Sequence, residues 1–210
     1  MLIEDRKPKG STKDSGYYRL LGNEPLADLI RKAQSCVIAN GNELENKVLQ
    51  YTMSRNKFNK QKLDNFNLDV SNAFIIQMKV PTPNNSDKKN IAVDCMVITK
   101  EEIFLIELKD GSNFDTKKSA GEVASLNKAC SVVRSRDPRK RKCIPKIVFW
   151  NAKTLGDVSF KVKGVDDMLV LGTDFCSQFG VNFTQINDER KKDADRNYKF
   201  FVEQLKQMNL

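Results

Sequence analysis

The chain has 210 residues, 36 Lys and Arg against 27 Asp and Glu for a net charge of +9, and no histidine. Ser-His-Asp and Cys-His catalysis, His-ligated zinc and a His general base are therefore excluded, which leaves carboxylates, lysines, cysteines or a metal held by oxygen. A hydrophobic content of 40% and a charged content of 30% suit a globular chain with one sizeable core, and the positive surplus points to an anionic partner, nucleic acid first.

Residues 1–23 are polar and glycine-bearing, which predicts a flexible arm ahead of a single domain over 24–210. From Pro25, Leu26, Leu29, Ile30 and Ala33 recur at helical spacing. A second helix is predicted after Asn40, Gly41 and Asn42, from Leu44, Val48, Leu49 and Thr52. The stretch 54–69 is rich in Asn, Lys and Asp, with Phe58, Leu63 and Phe66 as its anchors to the core. Strands are predicted over 73–80, stopped by Pro81 and Pro83, then over 91–99, then over 103–109 after a short charged turn. A helix over 116–133 leads to a basic run at 134–142 and a strand over 147–150. Another strand, 168–171, meets an amphipathic segment at 175–179. The charged tail from Asp188 reads as a helix with Tyr198, Phe201, Val202 and Leu205 on one side. Trp150, Phe104, Phe149 and Phe160 are expected in the core. Helices, then a strand cluster, then alternating helix and strand predict an α/β fold, a mixed sheet layered with helices.

Cys36, Cys95, Cys130, Cys143 and Cys176 are odd in number, widely spaced and form no C-x-x-C pair. Neither a zinc site nor a disulfide framework is expected, and the thiols are expected to be inert. The start of the chain lacks the apolar stretch of a secretory signal and no run reaches the length of a membrane span, so a cytoplasmic protein without membrane attachment is expected. No G-x-x-x-x-G-K-[ST] loop occurs, so no nucleotide cofactor is expected.

The informative stretch runs from Asp94 to Lys109. Two strands joined by a short turn form a hairpin, which brings Asp94 alongside Glu107. Side chains alternate along the second strand, so Glu107 and Lys109 share a face. Two carboxylates and an ammonium thus converge at one end of an apolar hairpin. An acidic residue two before a lysine also occurs at Asp5/Lys7, Glu45/Lys47, Asp87/Lys89, Asp115/Lys117 and Glu189/Lys191. Only Glu107/Lys109 ends an apolar strand that follows a second strand bearing a lone Asp. Paired carboxylates suit Mg²⁺, a hard ion that prefers oxygen ligands, and the metal and Lys109 together suit phosphodiester hydrolysis without an imidazole. The same residues also suit a structural ion-pair network at a strand end.

Asp94, twelve intervening residues and Glu107-Leu108-Lys109 resemble the motif of the PD-(D/E)xK nuclease superfamily, with Val93-Asp94 where the family loosely keeps Pro-Asp. The continuation through Glu122 is similar to the segment after the active-site strand in some type II restriction endonucleases. Leu171-Gly-Thr-Asp-Phe-Cys176 resembles a late strand-to-helix junction there. The likeness covers about residues 40–180. It implies a restriction-endonuclease-like mixed sheet flanked by helices, a nuclease domain over 24–210, and a Mg²⁺-dependent (Mn²⁺ as substitute) site-specific endonuclease for double-stranded DNA. It further implies that Asp94 and Glu107 bind metal, that Lys109 orients the attacking water, and that the enzyme acts as a homodimer.

Family members often add an acidic residue from the preceding helix. Glu45 borders the core-facing stripe through Val48 and Leu49 and is preferred, with Glu43 in reserve. Thr116, Lys117, Lys118 and Ser119 open a helix after the active strand, where backbone N–H groups suit a phosphate. The basic run, with Arg134, Arg136, Arg139, Lys140 and Arg141, suits contacts to DNA phosphates or base edges. Two other readings stay open: a repair nuclease or junction resolvase of the same fold, and a DNA-binding module without catalysis.

Overall fold

The computed structural model describes residues 1–52, 56–82, 90–112, 119–159, 162 and 164–208. In chain order the elements are α1 (Gly16–Leu21), α2 (Glu24–Gln50), β1 (Asn56–Phe58), β2 (Gln61–Lys62), β3 (Ala73–Pro81), β4 (Asn90–Ile98), β5 (Glu102–Lys109), α3 (Ser119–Arg136), β6 (Lys142–Phe149), β7 (Leu169–Leu171), α4 (Gly172–Phe179) and α5 (Phe183–Gln207). The described chain gathers into two compact units, Met1–Glu43 with Thr184–Leu210, and Leu44–Phe183.

The first unit is helical. Within residues 1–23, α1 is capped by Ser15, whose side chain accepts from the Tyr18 N–H, and ends at Gly22 in the left-handed region. Arg31 donates to the carbonyls of Lys9 and Gly10 and to Thr12 Oγ1. The Met1 ammonium pairs with Glu43 at 2.6 Å and with Asp193. Two helices were expected where α2 is continuous: Asn40, Gly41 and Asn42 stay helical. A mid-helix glycine costs only about 1 kcal/mol relative to alanine, which a helix of 27 residues absorbs. On α5, Tyr198 was expected on an apolar side, yet it is 72% exposed.

The second unit is built on a seven-stranded mixed sheet in the order β1-β3-β4-β5-β6-β7, with β2 beside β3 in the same register as β1. The β3–β4 and β4–β5 pairs are antiparallel, and β5–β6 and β6–β7 are parallel. The crossover from β5 to β6 is α3, which packs across β3 to β6 with Val123, Leu126, Ala129 and Val133 buried. Leu63 joins that core, and Phe58 and Phe66, edge to face with each other, pack against it, as expected of the anchors of this stretch. Phe175 and Phe179 of α4 stack with Phe74 and Phe104. Trp150 and Phe149 are fully buried; Phe160 lies outside the described residues.

β6 starts five residues before the predicted strand and includes Pro145. Proline lacks the N–H that a central strand needs. It is tolerated because β7 pairs only with Ile147–Phe149, which leaves β6 bordered on one side at position 145. The junction at Gly172 is tight: a Cβ there would lie 2.7 Å from the Trp150 carbonyl oxygen. Only glycine allows β7 to turn into α4 against that backbone.

One irregularity bears on the site. Ala73 and Ile75 face the α3-side core, but so do Met78 and Val80, so the alternation of β3 breaks between them. Gln77 sits there at φ 56°, and β3 and β4 pair at Ile76↔Cys95 and Met78↔Val93 while skipping Gln77 and Asp94. Both strands kink at the level of Asp94.

Candidate active site

β4 and β5 pair from Ile98↔Ile103 to Cys95↔Ile106 and then part. Continuing that register sets Asp94 opposite Glu107, one step beyond the last pair. Asp94 Oδ2 accepts the Leu108 N–H at 2.9 Å, standing in for the strand acceptor that β4 no longer supplies. On the other edge, the Trp150 N–H donates to the Lys109 carbonyl at 2.8 Å, which fixes the end of β5. Ile103 and Leu105 point into the α3-side core. Alternation carries Glu107 and Lys109 onto that same face at the open end of the hairpin.

Lys109 Nζ donates to Glu107 Oε1 at 2.8 Å and lies 2.7 Å from Glu122 Oε2, in the first turn of α3. The second contact is an ion pair. Glu45 is buried on α2, between Leu44 and Val48.

These carboxylates resist ionisation. Burial raises Asp94 to about 6 against the pull of the Leu108 N–H, with Glu45 and Glu122 adding like charge. Burial and then the Asp94 charge raise Glu107 to about 7, against the pull of Lys109. Glu45 is raised by burial, eased by Lys60 and pushed further by Glu107. Burial works to lower Lys109, but Glu107 and Glu122 outweigh it and the ammonium is held charged.

The cluster has room for one divalent cation in charge. Asp94, Glu107, Glu45 and Glu122 set four carboxylates against the ammonium groups of Lys60 and Lys109. Fully ionised, they fall two positive charges short. Among the described residues no group of three or more Asp, Glu or Cys side chains is gathered tightly enough to hold a metal on its own. In donor chemistry, Asp94 and Glu107 suit Mg²⁺, which binds through one or two carboxylates and keeps several waters. Hard oxygen donors that repel one another fit such an ion.

Over 205 residues, 91% of this chain and 88% of the relative, the sequence is 29% identical to the type II restriction enzyme HhaII of Haemophilus parahaemolyticus. The chain is similar to a type II restriction enzyme. No family model and no solved structure matches it.

The likeness leaves the placement of the other candidate residues to the structure. It brings Asp94, Glu107, Lys109 and Glu45 into one electrostatic neighbourhood, all within Leu44–Phe183. Glu43, the reserve, pairs instead with the Met1 ammonium. Thr116, Lys117 and Lys118 lie outside the described residues. Ser119 opens α3 but is fully buried.

The basic run is not brought to the carboxylates. Lys142 pairs with Glu102 at the start of β5, while Glu107 and Lys109 end that strand, roughly 20 Å away at the rise of a β-strand. Arg141 is only 5% exposed. Its guanidinium binds both oxygens of fully buried Asp137 and the carbonyls of Leu68, Val70 and Thr99. Every donor direction of that fork is turned inward, so the fold consumes this side chain and leaves it no face for DNA. Arg136 pairs with Asp64, and Arg139 with Asp69 at 2.6 Å. Arg134 and Lys140 are exposed.

Two participants escaped the sequence reading, Glu122 and Lys60. The available signal for Glu122 was its place, in the first turn of the helix that follows β5. Lys60 carries no comparable signal, because its approach to Glu45 depends on how β1 and β2 fold back along β3.

Proposed function

We propose that this chain is a Mg²⁺-dependent type II restriction endonuclease of the PD-(D/E)xK superfamily, cutting double-stranded DNA at a short specific site as a homodimer. One observation carries the reading: Asp94 and Glu107 face each other where the hairpin opens, with Lys109 beside them, in a chain 29% identical to a type II restriction enzyme. Bound there, Mg²⁺ supplies Lewis-acid polarisation of a phosphodiester oxygen and a bound water more acidic than bulk. Asp94 and Glu107 are its ligands, with Mn²⁺ as a substitute, and Glu45 assists from α2. Lys109 holds the attacking water by its ammonium and steadies the charge that develops on the phosphate. The Leu108 N–H and the Trp150 N–H keep the end of β5 rigid while this happens. The chemistry needs no histidine, in keeping with the composition.

The test is incubation of the protein with plasmid DNA and Mg²⁺. Discrete fragments are expected. A smear would mean a nuclease without site specificity, and intact DNA retarded on a gel would mean a binder. Lys109→Ala is expected to lower cleavage at least about 100-fold, the scale of one proton-transfer or charge-stabilising group, while DNA affinity at fixed salt holds within a few-fold. Cleavage retained in that variant would overturn the assigned role of Lys109.

A further inference from the structure

The ammonium of Lys109 sits on Glu107, one of the two carboxylates proposed to hold the metal. Its Nζ lies 2.8 Å from Glu107 Oε1, so a cation arriving at Glu107 meets a charge already seated there. Moving that ammonium into water would break its ion pair; leaving it in place would set it against the cation. A second anchor removes the conflict. Glu122 Oε2 lies 2.7 Å from the same Nζ, comes from α3 rather than from the hairpin, and is shielded from solvent. Its place in the first turn of α3 favours negative charge through the helix dipole.

We infer that Glu122 is a positioning residue: it takes sole hold of Lys109 when a divalent cation occupies Asp94 and Glu107, and so lets the metal in without discharging the lysine from the site. This rests on the metal reading proposed above. The long, flexible lysine stem allows Nζ to shift between two anchors already within contact distance, with no change of backbone. Glu122 touches neither the metal nor the DNA in this scheme; it acts through Lys109.

The distinguishing measurement is Mn²⁺ binding to the DNA-free full chain by titration calorimetry, in a double-mutant cycle of Glu122→Gln and Lys109→Met. Lys109→Met is expected to tighten Mn²⁺ binding, because the competing cation is gone. Glu122→Gln is expected to weaken it about tenfold in the parent chain, the scale of one charged contact, and by less than about twofold in the Lys109→Met background. An equal loss in both backgrounds would show Glu122 acting on the metal by its own charge and would overturn the inference, as would no loss in either. If Glu122→Gln does not fold, Glu122→Asp, which keeps the charge and withdraws it by one methylene, is read in the same cycle with the same two outcomes. No Mn²⁺ binding by the parent chain, or binding untouched by Asp94→Asn, would overturn the metal reading and this one together. Mn²⁺ binding that depends on Asp94 but shows no coupling overturns this one alone.

Discussion

Asp94 and Glu107 are held against their own ionisation, and the sign of the consequence for stability can be worked out. Free Asp and Glu ionise near pH 4, whereas burial lifts Asp94 to about 6 and Glu107 to about 7. Between those limits the folded chain binds more protons than the unfolded one, so these two groups cost stability as pH rises from 4 to 7. Metal-free protein is therefore expected to gain about 1–3 kcal/mol near pH 7.5 from Asp94→Asn or Glu107→Gln, read as a higher urea midpoint, even as cleavage is lost. A destabilised Asp94→Asn variant would contradict the burial that defines the site. Added Mg²⁺ should reverse the ranking, stabilising the parent chain and not the variants. Metal affinity should also fall as pH drops through 7 to 6, because protons and the cation compete for the same oxygens. Arg141 and Asp137 behave oppositely: the Arg141 hydrogen bonds hold Asp137 below the usual carboxylate range. Their contribution is present above the ordinary Asp pKa and is lost only in acid. Arg141→Ala strands the buried Asp137 charge and three carbonyls, so a loss of about 3–5 kcal/mol is expected in denaturant unfolding, with the metal site's own affinity unchanged in whatever remains folded.

At the level of elements, the paired kink in β3 and β4 is what frees Asp94 from strand duty. Gln77, at φ 56°, carries a backbone conformation that costs an L-residue about 1–2 kcal/mol and that β-branched residues tolerate least. Gln77→Gly should raise stability by up to about 1 kcal/mol while keeping cleavage, and Gln77→Val should lose at least as much and weaken cleavage by displacing Asp94. Equal activity in the two variants would mean that the kink does not position the site. This kink was not legible in the sequence, since 73–80 reads as an apolar strand with or without it. What was legible is local: β5 begins one residue before its predicted start, and Glu107 and Lys109 share a face because alternation demands it. The end of the hairpin is where apolar alternation yields to charge, and that contrast survives folding. Within the basic run, the inward turn of Arg141 was not legible, because charge density says nothing of direction. Arg141 lies four residues after Asp137 in a turn whose buried ends need donors, so it faces inward. Arg136 and Arg139 meet Asp64 and Asp69 from about 70 residues away, pairings that no local pattern encodes.

For the molecule as a whole, the positive surplus and the one proposed active site per chain pull toward one test. The described residues hold one Asp94, Glu107 and Lys109 constellation per chain, and duplex DNA presents two scissile strands of opposite polarity. A lone copy that cuts both strands would have to release and rebind the duplex in reversed orientation, whereas two copies related by a twofold axis match the symmetry of a palindromic site. A mixed preparation separates these routes. Subunits of the parent chain and of Lys109→Ala, differently tagged and purified as the mixed pair, are expected to nick one strand of a supercoiled plasmid and accumulate open circles. The parent pair should instead pass to linear DNA. If one copy acts alone by rebinding, the mixed preparation would linearise the plasmid at half the parent rate, with the same proportion of nicked intermediate. Sedimentation at the cleavage concentration supplies the companion reading, with twice the 210-residue mass expected. The comparison must hold salt fixed, because DNA affinity in a chain carrying +9 is expected to come largely from phosphate contacts, which weaken steeply as salt rises. Raising the salt should then slow nicking and linearisation in proportion, leaving the ratio of the two products, which reports the number of active sites engaged, unchanged.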